Sequence, residues 1–206
     1  MTESQYGFVK QRSCLTNLFC FLEDVTAKID EGKTVEVCYL DFNKAIHSMN
    51  HRVLLTKLER FGIQGQLHRW ISAFLSQRPF YVTAGKKRPT PVQLTSKAPQ
   101  GSVQGPLLFF LYVDDFPSTL TSSCYIFADD VKVIGLNGRS DLKRDLEQVD
   151  RWAKEWDLSP NATKSHVLTG AFERLEVHSE QYQFAIGPAT RVKDLGVVLL
   201  SAITLI

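Results

Sequence analysis

Residues 124–136, CYIFADDVKVIGL, constrain this chain more than any other stretch. Two short apolar runs flank a pair of aspartates, which reads as a β-hairpin with Asp129 and Asp130 at its turn. A second run, TVEVCYL from Thr34 to Leu40, is β-branched and aromatic, reads as a strand and ends on Asp41. Carboxylates beside apolar strands are costly unless their charge is compensated. Three of them brought together would repel one another and need a cation. Mg²⁺ suits oxygen ligands and binds through one or two carboxylates plus substrate phosphates. Two such ions a few ångströms apart form a clamp for phosphoryl or nucleotidyl transfer. Spacing alone leaves the blander reading open, because turn aspartates commonly bond only their own backbone.

The rest of the chain mixes helix and strand signals. Leu15, Leu18, Leu22, Val25 and Ile29 repeat at helical spacing, so a helix is expected from about Cys14 to Glu31, with Gly32 as its stop. Further helices are expected over His51–Phe61, Gln66–Gln77 and Val103–Asp115, and around Leu142, Leu146, Val149, Trp152 and Trp156. Strands are expected over Pro79–Thr83, Val92–Ser96, Ser165–Thr169, Gln181–Ile186 and Arg191–Leu199. The elements do not alternate as βαβ units, so the class is α+β. No repeat, linker or low-complexity segment interrupts the 206 residues, and one domain is the simplest reading.

Charge does not announce a partner. The net charge is only +2, and charged residues make up 22% of the chain. Lys86, Lys87 and Arg88 form a run, and Arg52, Lys57, Arg60 and Arg69 lie on consecutive helical stretches; such groups usually mark solvated faces. The four cysteines, Cys14, Cys20, Cys38 and Cys124, make no C-x-x-C pair and fall in apolar stretches, as buried free thiols in a reducing compartment would. The N-terminus lacks the apolar core of a signal peptide, and no apolar run is long enough to span a bilayer, so an intracellular protein of cytoplasm or nucleus is expected.

Six segments, in order, carry a resemblance. QYGFVKQRSCLTNL resembles an upstream fingers segment of non-LTR (LINE-type) retrotransposon reverse transcriptases. VCYLDFNKAIHSMNHRVLLTKLERFGI resembles their first catalytic motif, and SKAPQGSVQGPLLFFLYVDDFP their PQG segment. YIFADDVKV resembles their FADD hairpin, RWAKEWDLSPNATKSHVLTG the motif after it, and VKDLGV the closing strand. Together they run from Gln5 to Val197.

The resemblance implies a reverse-transcriptase palm, an antiparallel sheet backed by helices, with partial fingers. About 1–33 and 52–97 would be partial fingers and connecting elements, and about 34–51 and 98–200 palm. No thumb, upstream fingers strands or endonuclease is visible, so the sequence reads as a truncated fragment. The implied function is RNA-directed DNA polymerisation, with an RNA template, a DNA primer and deoxynucleoside triphosphates as partners. Asp41, Asp129 and Asp130 match the aspartates that bind two Mg²⁺ ions (or Mn²⁺), and the Phe42 carbonyl is a further ligand. Lys164 matches a lysine that protonates pyrophosphate; its alternative is a solvated surface lysine. Pro99, Gln100 and Gly101 match the loop beside the nascent base pair. Arg12 would touch the template, or else carry surface charge at a helix start.

Ile46 stands where the family pattern places an aromatic gate against the ribose 2′-hydroxyl, which implies altered sugar discrimination. A non-catalytic nucleic-acid-binding remnant is the alternative function. Tyr112 to Asp115 spell YVDD, a form the catalytic hairpin takes in retroviral enzymes, but they follow Gly101 within one expected helix. Asp114 and Asp115 are therefore expected to end that helix, and the catalytic pair is assigned to FADD.

Overall fold

The computed structural model describes residues 2–43, 45–76, 79–80, 92–93, 102, 104–136, 139–168, 175–178, 183–189, 191–195 and 197–200. The first elements are α1 (Cys14–Asp30), β1 (Val35–Leu40), α2 (Ala45–Ser48), α3 (His51–Arg60) and α4 (Gly65–Ser76). Then come β2 (Pro79–Phe80), β3 (Val92–Gln93), α5 (Gln104–Val113) and a 3-10 turn (Phe116–Thr119). β4 (Ser123–Phe127), β5 (Asp130–Leu136) and α6 (Arg139–Glu155) follow. The last are β6 (His166–Leu168), β7 (Leu175–His178), β8 (Gln183–Ala189), β9 (Arg191–Asp194) and β10 (Val197–Leu200). The chain packs as two compact units, one of Met1–Asn43 with Asp114–Ile206 and one of Lys44–Val113.

The first unit is built on a six-stranded sheet in the order β4-β5-β1-β6-β8-β7. Its pairs are antiparallel except β6 with β8, which run parallel. That exception follows from topology: β7 and β8 form an antiparallel hairpin, and the hairpin's second strand lies against β6. β9 and β10 pair separately. The single strand expected over Arg191–Leu199 is thus two, folded back at Leu195, which has a φ of 46°.

Strand parity sorts the two faces of the sheet. Val37 and Ile134 face α1 and form a core with Leu18, Phe21 and Val25. α1 begins with a capping box in which the Ser13 hydroxyl accepts from Thr16 N–H and the Thr16 hydroxyl accepts from Ser13 N–H. Gly32, at a φ of 75°, follows its end. The opposite face meets α6, whose Leu142, Leu146, Val149 and Ala153 are fully buried. A Cβ added at Gly135 of β5 would lie 2.8 Å from the Leu142 Cβ, so the strand gives up a side chain to let the helix approach. Covered on both faces, β5 is buried from Val131 through Gly135.

In the second unit α3 packs on α4 and α5. Lys57 departs from the expected solvated face. It is 1% exposed, and its ammonium donates to the Tyr112 carbonyl at 2.6 Å while lying over the Tyr112 ring. Arg52, Arg60 and Arg69 are exposed as expected. The Lys86–Arg88 run lies outside the described residues.

The cysteine expectation holds for half of them. Cys38 and Cys124 are buried, and burial pushes both thiols far above their usual range. Cys14, on the first turn of α1, is exposed, and Cys20 is partly so. An amphipathic helix has a wet side, and these two sit toward it. No helix among the described residues is long and apolar enough to cross a membrane.

Candidate active site

The register of the central strands assembles the acidic residues. β1 pairs with β5 through Leu40↔Val131, so the next step along the ladder sets Asp41 opposite Asp130. By parity both point to the face that carries Tyr39 and Lys132. Asp129 is the second of two residues that join Phe127 to Asp130, so the turn is Ala128 and Asp129, and Asp130 opens β5. This sharpens the sequence expectation by one position.

Crowding shows in Asp130. Its carboxyl is pushed above the ordinary aspartate range, first by burial and then by the charges of Asp129 and Asp41. A carboxyl with a raised folded-state pKa holds its proton more tightly when folded. Stability therefore falls as pH rises from the unfolded value through the folded one, and the cost is fully present at neutral pH. Because the Asp130 carboxyl is only partly shielded from solvent, the cost is at most about 1 kcal/mol. In EDTA at pH 7, Asp130→Asn should raise the melting temperature by up to about 3 °C, with the difference shrinking toward pH 4. A melting temperature that falls at pH 7 would contradict this electrostatic picture.

Asp41 is held from behind by the loop that follows α6. The Asp41 N–H donates to the Ser165 hydroxyl at 3.1 Å, and its carbonyl accepts from Asn161 N–H at 2.8 Å. The Asn161 side-chain amide donates to Asp41 Oδ2 at 3.1 Å, and Lys164 Nζ lies 3.5 Å from the same oxygen. Phe42 forms a bridge with Pro160, and its ring packs edge-on to Phe116 and tilted against Trp152. Lys164 was expected at the site. Asn161 and Ser165 were not, and the only sequence signal for them is the asparagine-containing motif in which they sit.

A cavity of about 380 Å³ opens beside the aspartates, with Asp41, Asp130, Lys164, His166 and Arg191 in its wall. In the same wall Lys132 donates to both Asp194 oxygens, at 3.0 and 2.8 Å, with both side chains buried. Burial pulls the Lys132 ammonium below its ordinary range while Asp194 opposes that shift.

The remaining expected residues are placed as follows. Tyr112 and Val113 close α5, and Asp114 and Asp115 form the turn after it. Asp114 accepts from Thr2 N–H at 2.8 Å, and Asp115 accepts from the Trp152 indole at 3.1 Å. YVDD thus ends a helix and braces its neighbours. The Arg12 guanidinium is turned back onto the carbonyls of Glu3 and Gln5 and stacks over the Tyr6 ring at 4.8 Å. Ile46 lies on α2, but its side chain is outside the described residues, as are Pro99, Gln100 and Gly101.

The donor set fits a hard cation. Among the described residues no three His, Cys, Asp or Glu side chains close into a ready cage. Mg²⁺ does not require one, since it takes most of its ligands from water and phosphate oxygens. One or two carboxylates suffice, and Asp41 and Asp129 lie close enough to Asp130 to add, after burial, to the rise of its carboxyl.

The family described as reverse transcriptase (RNA-dependent DNA polymerase) matches residues 1–199, and the chain belongs to it. Its relatives place it with the non-LTR, LINE-type retrotransposon members. It is 27% identical over 178 residues to the RNA-directed DNA polymerase from mobile element jockey of Drosophila funebris, covering 80% of this chain and 19% of that protein. It is 27% identical over 185 residues to a probable RNA-directed DNA polymerase from transposon X-element of Drosophila melanogaster, covering 84% and 20%. The chain thus spans about a fifth of the length of these curated relatives. An apo telomerase structure from Candida tropicalis, truncated from its C-terminal domain, superposes with a TM-score of 0.65 at 10% identity, covering 96% of this chain and 39% of that one. The mixed helical and antiparallel-sheet architecture is accordingly the palm fold of reverse transcriptases.

Proposed function

We propose that this chain carries the catalytic centre of an RNA-directed DNA polymerase, which extends a DNA primer 3′-hydroxyl on an RNA template with deoxynucleoside triphosphates. The observation that supports it most is the ladder register that sets Asp41 opposite Asp130, with Asp129 adjacent, inside segments that match the family. Asp41, Asp129 and Asp130 would hold two Mg²⁺ ions, or Mn²⁺, with the Phe42 carbonyl as a further ligand. When bound, those ions supply a lowered pKa at the primer hydroxyl and charge neutralisation at the triphosphate.

The chain's own residues do the rest. Asn161 and Ser165 fix the rotamer and height of Asp41 through bonds to its side chain and backbone. Lys164, whose side chain is 70% exposed, sits at the rim with its ammonium beside Asp41. From there it reaches outward to a phosphate group and can give a proton to departing pyrophosphate. Pro99, Gln100 and Gly101 would flank the nascent base pair, Ile46 would face the incoming sugar, and Arg12 would meet the template.

Primer extension on poly(rA)/oligo(dT) with dTTP tests the reading. Extension that requires the RNA template and Mg²⁺, and stops on chelation, is the expected result. Salt-sensitive binding of the duplex with no extension under any divalent ion would overturn it, and would leave a nucleic-acid-binding remnant as the better description.

A further inference from the structure

Ala128 occupies a position in the hairpin that its side chain disfavours. It is the first of two loop residues between paired strands and has a φ of 58°. A tight hairpin turn with positive φ at that place prefers glycine, since a Cβ there crowds the backbone. Strain of this kind persists only where the surroundings over-determine it.

The surroundings here are a segment more than a hundred residues away in sequence. Residues 4–6 lie along the outer edge of β4, with Ile126 N–H donating to the Ser4 carbonyl and Tyr6 N–H donating to the Ile126 carbonyl, both at 2.8 Å. Between them Gln5 is 2% exposed. Its side-chain oxygen accepts from Ala128 N–H at 3.1 Å and from Gly7 N–H at 2.7 Å. Its side-chain nitrogen reaches the Ala128 carbonyl at 3.4 Å. The single amide thus reads both backbone groups of the strained residue. Gly7 is cut to fit the same contact, because a Cβ there would stand 2.4 Å from the Ala128 nitrogen. Arg12 locks the arrangement from outside by donating to the Gln5 carbonyl at 2.6 Å.

We infer that Gln5 is a positioning residue, which clamps Ala128 in its left-handed conformation and thereby fixes where Asp129 and Asp130 stand relative to Asp41. It touches no substrate and acts through the turn. The consequence for metal binding rests on the proposed role of the three aspartates; the clamp itself does not.

Two readouts on the whole chain separate these layers. In metal-free protein, amide hydrogen exchange at Ala128 should speed up about tenfold or more in Gln5→Leu, while the Val133 amide in the middle of β5 stays within about threefold of the parent. Unchanged Ala128 protection in Gln5→Leu, or equal loss at both amides, would overturn the clamp. In the second readout, free Mn²⁺ is titrated by electron paramagnetic resonance. Gln5→Leu should weaken Mn²⁺ binding about tenfold, and adding Ala128→Gly, which accepts the left-handed conformation without strain, should restore most of it. Mn²⁺ binding in Gln5→Leu equal to that of the parent would overturn the positioning role. A parent chain that binds no Mn²⁺ would instead overturn the metal reading of the aspartates, with the exchange data still deciding the clamp.

Discussion

Lys132→Met should lower the melting temperature by between about 6 and 20 °C. Lys132 and Asp194 are 1% and 4% exposed, and the ammonium donates to both carboxylate oxygens. Methionine matches the length of the lysine stem and still covers the Phe21 ring, over which the ammonium lies at 4.6 Å. What it removes is the ammonium that compensates a carboxylate only 4% exposed. Breaking such a pair costs about 3–5 kcal/mol, and a chain of this length loses about 2–4 °C per kcal/mol. The second half of the expectation distinguishes an ion pair from mere packing. Lys132→Met combined with Asp194→Leu should recover most of the loss, since two apolar residues of similar volume leave no charge stranded. Thermal melts followed by circular dichroism read both. A single variant as stable as the parent, or a double variant no better than the single, would contradict a buried, mutually dependent pair.

The second large effect is on catalysis. Asp41→Asn should reduce the primer-extension rate about a thousandfold at saturating substrate, because the amide keeps the shape and loses the charge that a divalent cation needs. Asn161→Ala should be milder, about ten- to a hundredfold, since it releases the orientation of Asp41 and leaves the carboxylate in place. Raising Mg²⁺ should recover part of the Asn161→Ala loss and little of the Asp41→Asn loss. Equal rates for Asp41→Asn and the parent would remove Asp41 from the catalytic set.

The fold was legible where the determinants are local. The 3.6-residue spacing in α1, α3 and α4 and the apolar runs of β1, β4 and β5 came out within two residues of their bounds, because the face each element buries is written in its own period. β7, Leu175–His178, was missed: four residues without a turn signal on both sides carry too little pattern. Lys57 was read as solvated because its partner, the Tyr112 carbonyl, lies on another helix. The candidate site divides the same way. The aspartates were visible as residues, but spacing could not say that Asp41 and Asp130 stand opposite each other. The resemblance supplied that, and the ladder register agrees with it. Gln5, Asn161 and Ser165 act on partners more than a hundred residues away, through neutral polar groups that leave no charge or periodic trace in the chain.

The central place of β1 has a consequence for how the chain is made. Its partners on either side, β5 and β6, emerge from the ribosome about 100 and about 130 residues later. At roughly 5–20 residues per second, the middle strand of the sheet waits on the order of 10 s for its second neighbour, with both edges open and its apolar side chains exposed. Slower synthesis lengthens that exposure, and a chaperone that covers the waiting strand shortens the time in which it can pair with another chain.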